Sequence, residues 1–334
     1  MREQGFIDYI PHRFCLKKLT GECPRFRGSG RLFRLAWNFG IAPAEWDKHF
    51  ERAAALYAKE PPIVLKAQNR KHWRYGMEAP EKVPGRRLKV DPTRSPAKEL
   101  ARQVEEINEF AERQTIEGAS HAFFQRVFAN GDDGGEGAAF RLGARLYSVD
   151  GYQSMTQAQR RHIRINGEET VELDINASFL RIYYAMRSTP LPAGDPYEGL
   201  GIPRPVAKAW VLMTFGCKGF PTKWSENVKG KVEQKAGIDL MKYRVSEVSK
   251  AVRNRLKLFN DWGKNADINW GVLQFKESNA VIDCVHTLAT KHSVLALPVF
   301  DSIIVPKSQE HIARTILVDC FDKEVGVRPT ISKK

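Results

Sequence analysis

A fifteen-residue run, VELDINASFLRIYYA (171–185), changes its hydrophobic period at one acidic residue, Asp174. The residues up to Asp174 fit a buried strand, and those after it recur at the spacing of a helix. The chain must therefore leave a strand and enter a helix here, with one carboxylate at the border of a hydrophobic core. An ionised carboxylate in that setting is costly unless it is paired or bound to a metal ion.

A second aspartate, Asp301, occupies a similar position later in the chain. The run LALPVFDSIIVPKS predicts a strand, a tight turn and another strand, with Asp301 at the tip of this hairpin. Two carboxylates at core borders form a candidate oxygen-only site for a divalent cation, and magnesium suits such ligands. Taken singly, either aspartate is better explained as a turn or cap residue.

Between the two aspartates, the segment GIPRPVAKAWVLMTFG predicts a helix opened by prolines. Arg204 precedes the helix and Lys208 lies one turn into it, so both cations share a face near its N-terminus. The helix dipole and the free N–H groups also favour anions there, so a triphosphate fits this end. The alternative is an ordinary surface pair of basic residues.

These three segments, in this order, resemble the A-family DNA polymerases and the related single-subunit phage-type RNA polymerases. Those enzymes have a strand with a catalytic aspartate before a Leu-Arg helix, an RxxxK fingers helix with a later aromatic-Gly pair, and a hairpin with a second aspartate. The helix ESNAVIDCVHTLA resembles the family helix that contacts the primer-template minor groove. The matching residues are Asp174 with Leu180-Arg181, Arg204 with Lys208 and Phe215-Gly216, Asn279 with Asp283, and Asp301-Ser302.

The resemblance covers residues 140–306 and implies nucleotidyl transfer with two metal ions. Asp174 and Asp301 would bind two Mg²⁺ ions, with Mn²⁺ as an alternative. Lys208 would also serve as general acid for the departing pyrophosphate.

The same resemblance assigns residues to the incoming nucleotide. Arg204 and Lys208 would bind its triphosphate, and Phe215 would stack on its base, although the interval from Lys208 to Phe215 is one residue shorter than in the family. Phe179 stands where the family has the acid that selects against ribose, and a bulky ring there could block a 2′-hydroxyl. Selection of the sugar therefore stays open.

The formal charge of +14 makes a polyanion the first partner to consider, and nucleic acid is the commonest one. Charge alone is weak evidence, because basic surfaces also serve solubility and binding to acidic membranes. With the polymerase resemblance, basic residues would contact the phosphates of a primer-template or single-stranded template, and binding would depend strongly on salt. The residues predicted to contact nucleic acid are Arg126, Arg141, Arg145, Arg160, Arg161, Arg181 and Asn279.

The predicted fold class is α+β. The resemblance implies a right-hand polymerase with an antiparallel palm sheet, short helical fingers and a helical thumb-like region, beside a basic N-terminal accessory region. The predicted segments are the accessory region at 1–94 with an exposed linker at 66–95, the thumb-like, template-contacting region at 95–170, palm segments at 171–201 and 276–334, and fingers at 202–275.

Upstream of the first aspartate, three segments carry element predictions. PAEWDKHFERAAALYAKE has the apolar spacing of a helix, and SPAKELARQVEEINEFAERQ predicts a long amphipathic helix capped by Ser95. HAFFQRVFANGDDGGEGAAFRLGARLYSVDGY predicts a helix, a glycine-rich turn and a short strand with Arg141 and Arg145 on one side.

The predicted function is that of an A-family-type DNA polymerase, which joins a dNTP to a primer 3′ end. The small size and the lack of exonuclease acids suggest replication of a phage, plasmid or other mobile element, with a helicase or single-strand-binding protein of that element as partner. Three alternatives remain open. A primase or RNA-synthesising enzyme would share both aspartates, a metal-dependent nuclease would have no need of the Arg204/Lys208 helix, and a non-catalytic nucleic-acid-binding protein would explain charge alone.

The five cysteines are an odd, scattered set, which is typical of reduced thiols in a cytosol-like compartment. No apolar run approaches the ~18 residues needed to span a bilayer, and no signal peptide is visible. The sequence therefore predicts a cytoplasmic, nucleoid-associated protein without a membrane partner.

Overall fold

The computed structural model describes residues 6–10, 13–15, 20–22, 25–42, 60–72, 81–121, 123–131, 140–149, 151–217, 219–264 and 267–334. Two compact units make up the chain, Met1–Lys59 and Glu60–Lys334. Residues 43–59 of the helix predicted from PAEWDKHFERAAALYAKE lie outside the described residues.

The first unit has four short strands and a helix among its described residues. Strand β1 (Ile7–Ile10) pairs antiparallel with β4 (Arg25–Gly28), and β2 (Arg13–Cys15) pairs antiparallel with β3 (Thr20–Glu22). Helix α1 (Gly30–Asn38) begins after Ser29, whose hydroxyl accepts a hydrogen bond from the Leu32 N–H. No residue of α1 is buried, and Trp37 is 82% exposed.

The second unit combines strands and helices, which agrees with the predicted α+β class. Its described strands are β5 (Ile63–Ala67), β6 (Arg70–His72), β7 (Glu81–Val83), β8 (Arg87–Leu88), β9 (Ile116–Glu117), β10 (Phe124–Gly131), β11 (Gly143–Ser148), β12 (Arg164–Ile165), β13 (Glu168–Ile175), β14 (Leu297–Val299), β15 (Ser302–Pro306) and β16 (Ile331–Lys333). Its described α-helices are α2 (Ala97–Glu112), α3 (Gln157–Arg160), α4 (Ser178–Ala185), α5 (Arg204–Phe215), α6 (Glu226–Ala236), α7 (Val245–Arg255), α8 (Trp270–His292) and α9 (Glu310–Val325).

An antiparallel sheet around β13 carries both predicted aspartates. Its strand order is β14-β15-β13-β12-β9, and β16 also pairs with β13. β13 buries Val171, Leu173 and Ile175, which alternate in the sequence with the acids Glu172 and Asp174, as expected of a strand in an antiparallel sheet. The predicted strand, the following helix α4 and the predicted hairpin of β14 and β15 are all confirmed.

A second sheet has the order β11-β10-β5-β8. β10 pairs in parallel with β5, so the helix predicted at the start of HAFFQRVF is wrong. Its residues satisfy their backbone hydrogen bonds with β5 and β11, which a local helical pattern cannot reveal. Part of the expected linker at 66–95 is also paired, because β8 adds to β5 through Leu88 and Arg87.

Helix α8 packs against α9, α2, α4 and β11. The predicted long helix is confirmed as α2, whose residues Val104 and Ile107 are fully buried. The cap differs from the prediction, because the Ser95 hydroxyl donates to the Glu99 carboxylate at 2.9 Å and makes no bond to the N-terminus of α2. Within the described ranges, no helix has both the length and the apolar character that crossing a bilayer requires.

Candidate active site

The pairing of β13 with β15 brings Asp174 and Asp301 to one end of the sheet. Asp174 lies opposite Ser302 in the strand register, so Asp301, in the turn just before β15, is its neighbour. The Ile175 N–H donates to the Asp301 carbonyl at 3.0 Å, which holds the turn against β13. The preceding residue, Phe300, has a φ of 58°, a left-handed conformation that costs energy in a bulky residue and is frequent at functional sites.

Both carboxyl groups lack sufficient positive charge around them. Burial raises the pKa of Asp174 to about 6, and the charge of Asp301 adds to the rise. Burial likewise raises the pKa of Asp301 to about 6, and the charge of Glu277 adds to it. Lys334 and Lys208 oppose both rises. A bound divalent cation would therefore relieve an unfavourable concentration of negative charge.

The third acid, Glu277, lies on α8 and is not among the site residues that the sequence predicts. It is 1% exposed, and it accepts hydrogen bonds from Arg145 at 2.9 Å and from the Ser178 hydroxyl. Burial raises its pKa, and the charge of Asp174 adds to the rise, while Arg145 and Ser178 oppose it. Glu277 is followed in the sequence by the polar residues Ser278 and Asn279, so no local apolar pattern indicates that it is buried.

The two aspartates fit the requirements of magnesium. In the part of the chain that the structure describes, no three acidic, histidine or cysteine side chains converge closely enough to hold one metal ion. Mg²⁺ commonly keeps several waters and is bound through one or two carboxylates together with substrate phosphates. Asp174 and Asp301 are thus the side chains that would hold it, with water and substrate completing the coordination.

Helix α5 presents two cations of different character. Arg204 forms an ion pair with Asp195 at 2.7 Å and lies over the Tyr197 ring, with its guanidinium carbon 5.4 Å from the ring centre. Lys208 is exposed and has no ion pair or hydrogen bond to any residue that the structure describes. Its charge nevertheless lowers the pKa of Asp174 and of Asp301, so Lys208 lies within electrostatic reach of both.

Two further residues of this site, Tyr197 and Asp195, are not among those that the sequence predicts. Although burial favours its neutral form, hydrogen bonds from the Tyr197 N–H and from Arg204 hold the pKa of Asp195 below its usual value. Burial raises the pKa of the Tyr197 hydroxyl, and the charge of Asp301 adds to the rise. The loop before α5 therefore positions Arg204 and places a neutral phenol within electrostatic reach of Asp301.

The structure places Phe179 and Phe215 in the aromatic core, where the base and sugar contacts predicted for them are not supported. Phe215 is 1% exposed, with its ring centre 5.1 Å from that of Trp262 and 5.2 Å from that of Phe259. Phe179 packs edge-on against Trp270 at 4.6 Å. Burying such rings is strongly favourable, and the apolar spacing of α4 and α5 reflects that packing rather than a nucleotide pocket.

Several residues predicted to contact nucleic acid are instead occupied within the protein. Arg126 is 2% exposed, and burial lowers its pKa to about 10. The internal partners of this group are Gln103, Asn279 and the Ala144 carbonyl for Arg126, Glu277 for Arg145, Glu172 and the Met155 carbonyl for Arg160, the Asn176 carbonyl and Thr330 for Arg181, and Arg126 and Glu324 for Asn279. The predicted contact between Arg126 and nucleic acid is therefore wrong, because a buried guanidinium cannot reach a phosphate. By contrast, Arg141 and Arg161 are exposed.

Comparisons with known proteins find similarity among solved structures. No protein-family model matches the chain, and no curated protein matches it either. Among solved structures, the polymerase domain of Pol1 from M. smegmatis, in complex with DNA primer-template and dNTP, is similar at 13% identity and a TM-score of 0.30. The match covers 57% of this chain and 45% of that one, so this chain spans less than half of that domain. No family membership follows from it.

Proposed function

We propose that the protein is a template-directed nucleotidyltransferase of the A-family polymerase type, which joins a nucleotide to a primer 3′ end with two Mg²⁺ ions. The observation that carries the proposal is the meeting of Asp174 and Asp301 at the β13–β15 pairing, with Lys208 within electrostatic reach of both. Paired, partly buried carboxylates whose pKa values are raised suit metal-assisted displacement at phosphorus. A cation on the first turns of a helix suits the triphosphate.

The roles of the acids follow from their surroundings. Asp174 and Asp301 would ligate the metal ions, whereas Glu277 is held by Arg145 and Ser178 and would keep its place as a structural acid. Bound Mg²⁺ supplies Lewis acidity, which makes a 3′-hydroxyl more acidic and offsets charge on the triphosphate. The proposed alternative ion is Mn²⁺, since the same oxygen ligands suit it.

Lys208 would act on the leaving group. In the transfer, the 3′-oxygen forms a bond to the α-phosphorus while the bond from that phosphorus to the bridging oxygen of pyrophosphate breaks. The 3′-hydroxyl proton passes to solvent, and Lys208 gives a proton to the departing pyrophosphate. Arg204, which is fixed by Asp195, would contact the triphosphate as a positioned donor.

The test is incubation of the protein with Mg²⁺ and a template, with and without a primer, and with dNTPs or NTPs. We expect extension of the primer by nucleotides complementary to the template. Products made from NTPs without a primer would instead indicate a primase, and loss of DNA without added nucleotides would indicate a nuclease. Normal template binding without product in any mixture would contradict the proposal.

Replacing Lys208 by methionine should lower the rate of incorporation by roughly 100-fold, since general acid catalysis contributes about that much or more. The expected signature is a fall in kcat that becomes smaller with a nucleotide whose leaving group needs no proton. Lys250→Met, which removes an exposed lysine of α7, is the matched control. Equal rates for Lys208→Met and Lys250→Met would show that Lys208 has no catalytic role.

A further inference from the structure

A lysine from a distant part of the chain lies on the candidate catalytic aspartate. β16 pairs antiparallel with β13, with Ser332 opposite Asp174 and Lys333 opposite Leu173. The backbone N–H of Lys334 then donates to the Glu172 carbonyl at 3.0 Å. This register carries the Lys334 side chain to the carboxylate of Asp174, where its ammonium forms an ion pair with Oδ1.

Lys334 has a distinct electrostatic position. No other cation of the described residues lies within ion-pair distance of Asp174. The charge of Lys334 also reaches Asp301, whereas Lys208 acts on the same two acids from an exposed position without a direct contact. In this structure, Lys334 is therefore the group that directly neutralises part of the charge of the acidic pair.

The same ammonium has a second acceptor nearby. Its Nζ lies 3.7 Å from Oε1 of Glu172, which precedes Asp174 by two residues on β13 and so projects from the same face. Glu172 also binds Arg160 and accepts a hydrogen bond from the Ser302 hydroxyl at 2.8 Å. A short rotation of the lysine side chain would move its charge from Asp174 to Glu172 while β16 stays paired.

A metal ion and the ammonium cannot share this position at low energy, because both are cations and both use the Asp174 carboxylate. We infer that Lys334 is the resident counter-ion of the metal site, which a divalent cation displaces from Asp174 toward Glu172. The inference rests on the metal site of the proposed function. Lys334 thus lowers the affinity of the site for the metal ion. In the metal-free protein, its charge reduces the repulsion between the two carboxylates.

The test measures Mn²⁺ binding at pH 8 by the loss of the free-ion EPR signal, with calorimetry as a second readout. Lys334→Met keeps the length of the side chain and removes its charge, so we expect roughly tenfold tighter Mn²⁺ binding. Lys334→Arg should retain wild-type affinity, because it restores the cation. Lys333→Met is the control on the same strand, since Lys333 pairs with Glu310 instead.

Folding is checked by thermal melting, in which metal-free Lys334→Met should melt lower than wild type and recover on addition of Mg²⁺. Unchanged or weaker Mn²⁺ binding by Lys334→Met would overturn the inference. Asp301→Asn separates the two proposals. If Asp301→Asn binds Mn²⁺ with wild-type affinity, both the proposed metal site and the inference about Lys334 are wrong. If it loses Mn²⁺ while Lys334→Met binds as wild type, only the inference fails.

Discussion

Asp301→Asn is expected to abolish nucleotide incorporation and, at the same time, to stabilise the metal-free protein. Loss of a metal ligand should cost on the order of 10³-fold in rate, because metal assistance contributes several kcal/mol. Burial and the charge of Glu277 raise the pKa of Asp301 to about 6 from 3.8, so ionising it in the folded state costs up to about 3 kcal/mol. Primer extension and urea denaturation at pH 7 measure the two effects.

The pH dependence fixes the sign of the stability effect. The folded state binds the Asp301 proton more tightly than the unfolded state, so wild-type stability falls as pH rises from about 4 to about 6. The advantage of Asp301→Asn should therefore be near zero below pH 4 and reach its full size above pH 6. Mg²⁺ should raise the melting temperature of wild type but not of the variant.

Asp319→Asn, which changes an exposed acid of α9 paired with Arg328, should leave activity and stability unchanged. Two results would contradict the role of Asp301 as a metal ligand whose charge destabilises the metal-free protein. One is an active Asp301→Asn enzyme, and the other is a variant that is less stable than wild type at pH 7 without metal.

Arg160→Met is expected to lower the free energy of unfolding, whereas Arg161→Met is expected to leave it nearly unchanged. Arg160 makes a bidentate ion pair with Glu172, with contacts of 2.9 and 3.0 Å, and both side chains are largely buried. Removing Arg160 leaves the buried Glu172 charge with Lys334 as its remaining cation, 3.7 Å away, so the free energy of unfolding should fall by about 3 kcal/mol. Arg161 is exposed, and its loss should change that free energy by less than about 0.5 kcal/mol.

Template binding supplies the second readout for this pair. If Arg161 contacts a phosphate, Arg161→Met should reduce the slope of the logarithm of affinity against the logarithm of salt concentration by about 1. Arg160→Met combined with Glu172→Leu should recover part of the lost stability, because neither charge is then buried alone. An Arg160→Met protein as stable as wild type would show that Glu172 does not depend on Arg160.

Local sequence patterns predicted the elements that carry the site and failed where partners are distant. Hydrophobic period and turn residues within about fifteen residues predict each of three elements. These are the strand before Asp174, helix α5 and the hairpin at Asp301. β10 was predicted to be a helix because its pairing with β5 and β11 is not encoded locally. The register of β13 against β15 is what brings the two aspartates together, and neither segment shows that register by itself.

The finer assignments of side chains depended on burial, which a single sequence does not report. Arg126 and Phe215 have residue types that bind nucleic acid or nucleotides at a surface, yet both lie in the interior. Glu277 was overlooked for the opposite reason, because an acid in a helix is ordinarily a solvated one. Its partners Ser178 and Arg145 are 99 and 132 residues away, so only the tertiary structure shows that its charge is compensated.

The connectivity of β13 has a consequence for biogenesis. Glu172 contacts Ser302, 130 residues further along the chain, and Asp174 contacts Lys334, 160 residues further along. β13 therefore leaves the ribosome long before β15 and β16. Until then, β13 has an unpaired edge and its apolar residues Val171, Leu173 and Ile175 are not covered, which is the kind of surface that drives association between nascent chains. Contacts this distant also make for slow folding. The yield of active protein should consequently depend on chaperone supply during synthesis.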